Sequence, residues 1–151
     1  MKKVENDNVQ FRIKTIELVD FKLNQLTKAL PEQTTFHFNI NLEQIINNEV
    51  KLVIVVASVE IMNDNMSEQL GFLKGSCIFE VINFNDFLID SNGQVTFPES
   101  AVITFNSITL STIRGLMFAQ FRGTHLHNAI LPVLDPTSFK KDNVKKAKNL
   151  K

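Results

Sequence analysis

The stretch FRGTHLHNAILPVLDPTSF, Phe121 to Phe139, follows the most helix-like segment of the chain. The polar turn Arg122-Gly123-Thr124 stops the helical period, and Gly123 suits the left-handed position just past a helix end. Pro132 and Pro136 then interrupt an apolar run, so the chain leaves the helix as an irregular leg. His125 and His127 stand two apart and would share a face on an extended chain. No Cys, Asp or Glu stands beside them at ligand spacing, which disfavours a metal site. The stretch therefore reads as the end of a helix and not as a centre of chemistry.

Upstream, SITLSTIRGLMFAQF reads as a helix of about four turns, with Asn106 and Ser107 as its caps. Ser107, Ser111, Gly115 and Ala119 fall at steps of four and form a narrow stripe of small residues. Gly115 costs about 1 kcal/mol against Ala in a helix interior, so it needs a reason. Close packing is that reason, either on the sheet of the same subunit or against a helix of a second one. These four residues are the candidate oligomer interface.

Strands precede the helix. VQFRIKTIELVDFKL alternates at Val9, Phe11 and Ile13 and again at Val19, Phe21 and Leu23, with a phase shift that predicts a bulge or a bend. FHFNINL alternates through Phe36, Phe38, Ile40 and Leu42 and predicts a strand with one wet face. KLVIVVASVEIM is apolar on both faces and predicts a central strand. LGFLKGSCIFEVINF predicts another, with Gly71 and Gly75 at bends. SNGQ signals a tight turn, and Pro98 argues against a central strand at FPESAVITF. A short helix is expected in PTSFKKDNVKKAKNL. Strands followed by a helix predict one α+β domain over 1–139 with an antiparallel sheet.

The chain has 151 residues and zero formal net charge. The last stretch, KKDNVKKAKNLK from Lys140, holds six Lys and one Asp, which leaves 10 basic and 15 acidic residues elsewhere, a net of −5. An acidic body thus carries a basic tail, 140–151, expected to be flexible. Such a tail can be merely solvated, or it can touch nucleic acid, membrane phosphate or a partner subunit. There are 13 Phe and no Trp or Tyr, so the apolar volume is filled by rings without a polar handle. The single Cys77 fits a reducing compartment. The start MKKVENDNVQFRIK lacks the apolar region of a secretory signal, and no run is read as reaching transmembrane length. A cytoplasmic location is expected.

Chemistry-bearing patterns are sparse. There is no G-x-S-x-G elbow and no phosphate-binding glycine loop. Cys77 lies in an apolar strand, and Asp86 and Asp90, four apart, suit a solvated face. No enzyme activity and no cofactor are expected. Surplus Phe without a reactive constellation predicts a binding protein.

The motif RGTHLHNAILPV, Arg122 to Val133, resembles the segment that closes the long helix of the SecB export chaperones. Arg122, Gly123, Thr124, Pro132 and Val133 match that pattern without a gap. FRIKTIELVDFKL, Phe11 to Leu23, is similar to the family's first strand pair, FHFNINL through VASVEIM to the next two strands, and GSCIFEV to the fourth. The similarity spans roughly residues 9 to 139. It implies a four-stranded antiparallel Greek-key sheet with a long helix packed on one side. It also implies a homotetramer that holds unfolded or precursor polypeptides in apolar grooves without ATP.

The departures narrow what the resemblance implies. The family's aromatic-Pro after Arg-Gly-Thr is His125-Leu126 here, and its Asn-Phe after Pro-Val is Leu134-Asp135. Of the positions that would meet the translocase motor ATPase, Asp20 and Leu70 remain, while acidic ones are Asn24 and Phe72. The tail is basic where the family's is often acidic. The chain is thus similar to divergent relatives, which include chaperones attached to toxin–antitoxin pairs. Client-binding candidates are Phe21, Leu23, Phe36, Phe38 and Phe97. The expected function is that of an ATP-independent holdase. The alternatives are a dedicated chaperone of one partner such as an antitoxin, and a module that binds a small apolar ligand. Motor contact is doubtful, and neither nucleic acid nor membrane insertion is expected.

Overall fold

The computed structural model describes residues 8–90 and 92–135, and the backbone alone of 144–146. Four long strands come first: β1 (Phe11–Leu23), β2 (His37–Asn47), β3 (Leu52–Met62) and β4 (Gln69–Val81). A 3-10 turn at Phe84–Phe87 leads to one helix, α1 (Glu99–Phe121), and a short strand β5 (Val144–Lys146) follows. The sheet order is β1-β4-β3-β2-β5. β2, β3 and β4 are joined as hairpins, and β1 returns beside β4, all antiparallel, which is a Greek key. β5 runs parallel to β2 on its outer edge.

The register assigns the faces. Opposite residues of an antiparallel pair share a face. Val53, Val55, Ala57, Val59 and Ile61 of β3 lie beside Leu73, Cys77 and Phe79 of β4, and all are fully buried under α1. The opposite face carries Glu60, Lys74, Ser58 and Glu80 together with Ile54 and Ile78.

Gly71 and Gly75 lie inside β4, where bends had been expected. Their reason is close approach. A Cβ on Gly71 would stand 2.5 Å from Leu126 Cδ1 and 3.1 Å from the Lys22 carbonyl oxygen, and one on Gly75 would stand 2.8 Å from Ile113 Cδ1. The missing side chains let α1 and the leg after it settle onto the sheet. Gly71→Ala is therefore expected to cost about 1–3 kcal/mol through overpacking, because Leu126 is itself buried. Urea denaturation reads this directly, and an unchanged midpoint would remove the close-packing explanation.

The helix is longer than its sequence signals indicate. It begins at Glu99, directly after Pro98, and not at Asn106 and Ser107. Pro98 is preset for a chain entry, its carbonyl receives the Ala101 and Val102 amides, and Glu99 favours the N-terminal dipole. Asn106 is instead buried in the third turn, where its Oδ1 accepts the Gln44 Nε2–H at 3.3 Å. The expectation that no segment reaches spanning length is corrected with it: the 23-residue helix is long and apolar enough by composition. Its Phe105, Ile113, Met117 and Phe121 are nevertheless buried in this domain. Gly123 takes the expected left-handed conformation, φ +76°.

Val144–Lys146 is extended, not helical as expected of 136–150. The remainder of the basic tail lies outside the described residues.

Candidate apolar binding surface

Among the described residues β1 carries a continuous apolar row left open. Two bulges, at Lys14 and Val19, each insert one residue against β4. The alternation therefore changes phase twice. Phe11 and Ile13, then Ile16 and Leu18, then Phe21 and Leu23 all oppose helix-side residues of β4. Arg12, Glu17, Asp20 and Lys22 fall on the other face. Without the bulges Thr15, Glu17 and Val19 would turn inward and Ile16 and Leu18, the middle of the apolar row, outward.

The helix packs over β3 and β4 and barely reaches β1. Ile13, Ile16, Leu18, Phe21 and Leu23 thus keep 37–49 % of their surface exposed, although they sit on the helix side. Only Phe11 at the strand's start is drawn in, edge-on to Phe105 at 4.9 Å and to Phe79 at 5.6 Å. The open row runs for about 30 Å along the strand. A row of this kind can hold an extended segment through alternate side chains, and the free edge offers backbone hydrogen bonds.

The sequence candidates are divided by the fold. Phe21 and Leu23 lie in this row and are exposed. Phe36 and Phe38 lie at the start of β2, half-buried against the core at the same end of the sheet, since Leu23, Gly71, Ile61 and Phe38 form one cross-strand line. The loop between β1 and β2 crosses that end and is tied down there. The Asn24 amide donates from its backbone to Leu70 O at 3.0 Å and from Nδ2 to Gln69 O at 2.7 Å. Asp64 Oδ1 accepts the Thr35 N–H at 2.8 Å.

Phe97 is corrected. It is only 4 % exposed and packs among Phe84, Phe87 and Phe105 at ring distances of 5.4–6.1 Å. Its ring fills the core at the other end of the sheet, so it has no surface for a client. Leu70 is corrected likewise: it is fully buried, and a partner cannot reach it. Asp20 is exposed opposite Lys74 on the outer face.

Ser111, Gly115 and Ala119 are exposed on α1 and Ser107 is half-exposed. Nothing lies within 4 Å of a Cβ placed on Gly115, so the stripe faces away from its own sheet. The sequence missed Arg114, one residue away. Its Nε donates to Leu131 O at 2.6 Å and its Nη2 to Pro132 O at 2.9 Å. Arg114 thereby fastens the leg after the helix, whose Leu126, Ala129 and Leu131 close the core.

Titration is muted. Arg12 Nε donates to Glu80 at 2.7 Å on the outer face, and this bond holds the Glu80 carboxyl below its usual range. The pair is solvated and adds little to stability. Among the described residues no group of three or more His, Cys, Asp or Glu could hold a metal.

The antiparallel Greek-key sheet with one long helix on one face has a counterpart among solved structures. The Mycobacterium tuberculosis Rv1957 SecB-like chaperone, in complex with a ChAD peptide from the Rv1956 HigA1 antitoxin, superposes with a TM-score of 0.59. The fold is SecB-like. The match covers 82 % of this chain and 90 % of that one at 13 % sequence identity. No protein-family model matches the sequence, and no curated protein does. The likeness therefore resides in the SecB-like arrangement of strands and helix, not in retained side chains.

Proposed function

We propose that the protein is an ATP-independent chaperone that holds extended, apolar segments of unfolded or precursor polypeptides. The observation that carries this reading is the row Ile13, Ile16, Leu18, Phe21 and Leu23, kept open on the helix side of an edge strand. Two bulges are spent on aligning residues that the chain does not itself bury. That is the disposition of a binding surface, and it needs neither nucleotide nor cofactor. The direct test is light scattering from a chemically denatured protein diluted into buffer without ATP. Stoichiometric suppression of aggregation is expected, and its absence together with no binding to any unfolded chain would overturn the proposal.

A second reading is favoured by one comparison, since the similarly folded Rv1957 chaperone is described with an antitoxin peptide. Here the row would serve one dedicated partner. Pull-down from native lysate separates the readings: one abundant partner supports dedication, and many unfolded ones support a general holdase.

We further propose a cytoplasmic homotetramer of about 69 kDa, four times 17.2 kDa, packed through the outward stripe on α1. Light scattering is expected to give this mass, and Gly115→Leu to shift it downward, as overpacking at a close crossing costs about 1–3 kcal/mol. A 17 kDa species at micromolar concentration would exclude it.

Contact with a translocase motor is expected to be absent. Exposed charge pairs are worth about 0–1 kcal/mol each, so such a contact needs several. Asp20 stands beside Lys74 and Lys22, Phe72 offers a ring, and the Asn24 side chain is engaged with the backbone. Calorimetry against the motor of the same cell is expected to detect no complex at physiological salt; a micromolar complex would refute this.

A further inference from the structure

Both edges of a sheet invite another strand, and proteins cover or blunt them. Here one edge is covered by the chain's own end. The register pairs Gln44 with Val144, Ile45 with Lys145 and Ile46 with Lys146 in parallel. Three residues make a short ladder. The stretch His37–Glu43 of β2 has no strand on that side among the described residues. Phe38, Ile40 and Leu42 line the helix side of that uncovered stretch. Charge favours the same docking, because the end carries six Lys and the rest of the chain is −5. Glu43 and Glu49 flank the paired residues of β2.

We propose that residues 144–146 are a removable edge strand, an autoinhibitory contact that an extended polypeptide displaces from β2. A client strand with alternating apolar residues could pair along His37–Ile46 and set its side chains beside Phe38 and Ile40, a longer ladder than three residues make. Its arrival would free residues 144–146. The displacement half of this proposal rests on the polypeptide-holding reading, whereas the docking half does not.

The test uses the full chain with Val144→Pro and Lys145→Pro together. Successive backbone N–H groups point to opposite sides of a strand, so in either phase the pair removes a donor to β2. Hydrogen exchange is expected to lose protection at those amides of residues 44–46 that face residues 144–146, and to leave the amides that face β3, and β3 and β4 themselves, unchanged. Binding of reduced, carboxymethylated lactalbumin, a permanently unfolded probe, is expected to tighten roughly three- to ten-fold, the scale of losing one competing backbone hydrogen bond. Unchanged protection at 44–46 overturns the docked strand. Unchanged protein binding with lost protection overturns the autoinhibition. If neither form binds the unfolded probe, the holding function fails, while the exchange pattern still decides whether the strand is docked.

Discussion

Phe105→Ala is expected to destabilise the protein by about 3–5 kcal/mol. Phe105 is fully buried in the first half of α1 and joins three rings: Phe79 of β4 at 4.8 Å, Phe11 of β1 at 4.9 Å and Phe97 of the connector at 6.1 Å. It is where helix, sheet and connector meet. Removing it leaves a ring-sized void walled by elements that cannot all collapse into it, and it forfeits edge-to-face contacts worth about 0.5–1.5 kcal/mol each. Phe97→Ala should follow with a loss of similar size, since its ring is held by Phe84 and Phe87 as well. Urea unfolding followed by circular dichroism checks both. A loss below about 1 kcal/mol at either position would show that the ring cluster is not the keystone described. Loss of client binding on changing Phe97 would accordingly report unfolding and not a binding site.

The second large effect is functional and should leave stability almost intact. The triple change Ile16→Thr, Phe21→Thr and Leu23→Thr is expected to weaken binding of an unfolded protein at least ten-fold. Each side chain in the free chain is already 42–49 % exposed, so truncation forfeits little core burial. Threonine is β-branched and keeps the preference for the strand. A client that covers these three side chains would gain about 25 cal/mol for each Å² of apolar area removed from water, and the triple change removes most of that gain. The pair of measurements is fluorescence anisotropy with a labelled unfolded protein and a urea midpoint. Unaltered affinity with an unaltered midpoint would take the β1 row out of the binding surface. An assembly that fell apart in the triple variant would assign the row to a subunit contact instead.

These two predictions divide along the line between what the amino-acid order states and what folding decides. The period of two at Phe36–Leu42, the two-sided apolar run KLVIVVASVEIM and the stop at Gly123 are local properties, and they appear in the structure as β2, the central β3 and the end of α1. Strand type and helix end are written locally because side-chain alternation and φ preference need no distant partner.

The helix start, by contrast, was hidden. Val102, Ile103 and Thr104 are poor helix formers, and Asn106 and Ser107 look like caps. Asn106 looks like a cap because nothing near it in the chain announces the distant Gln44 amide that it meets inside the core. Gly71 and Gly75 looked like bends because nothing near them in the chain announces Leu126 and Ile113 overhead. Phe21 and Phe97 are the same residue type in similar company. One stays open because α1 stops short of β1, and the other is enclosed because three rings from elsewhere converge on it. The sequence by itself determined that this chain makes strands, then a helix, with more aromatic surface than polar partners. Which rings became core and which became surface was settled by the tertiary structure, because burial depends on what packs on top, and the residues on top come from distant parts of the chain.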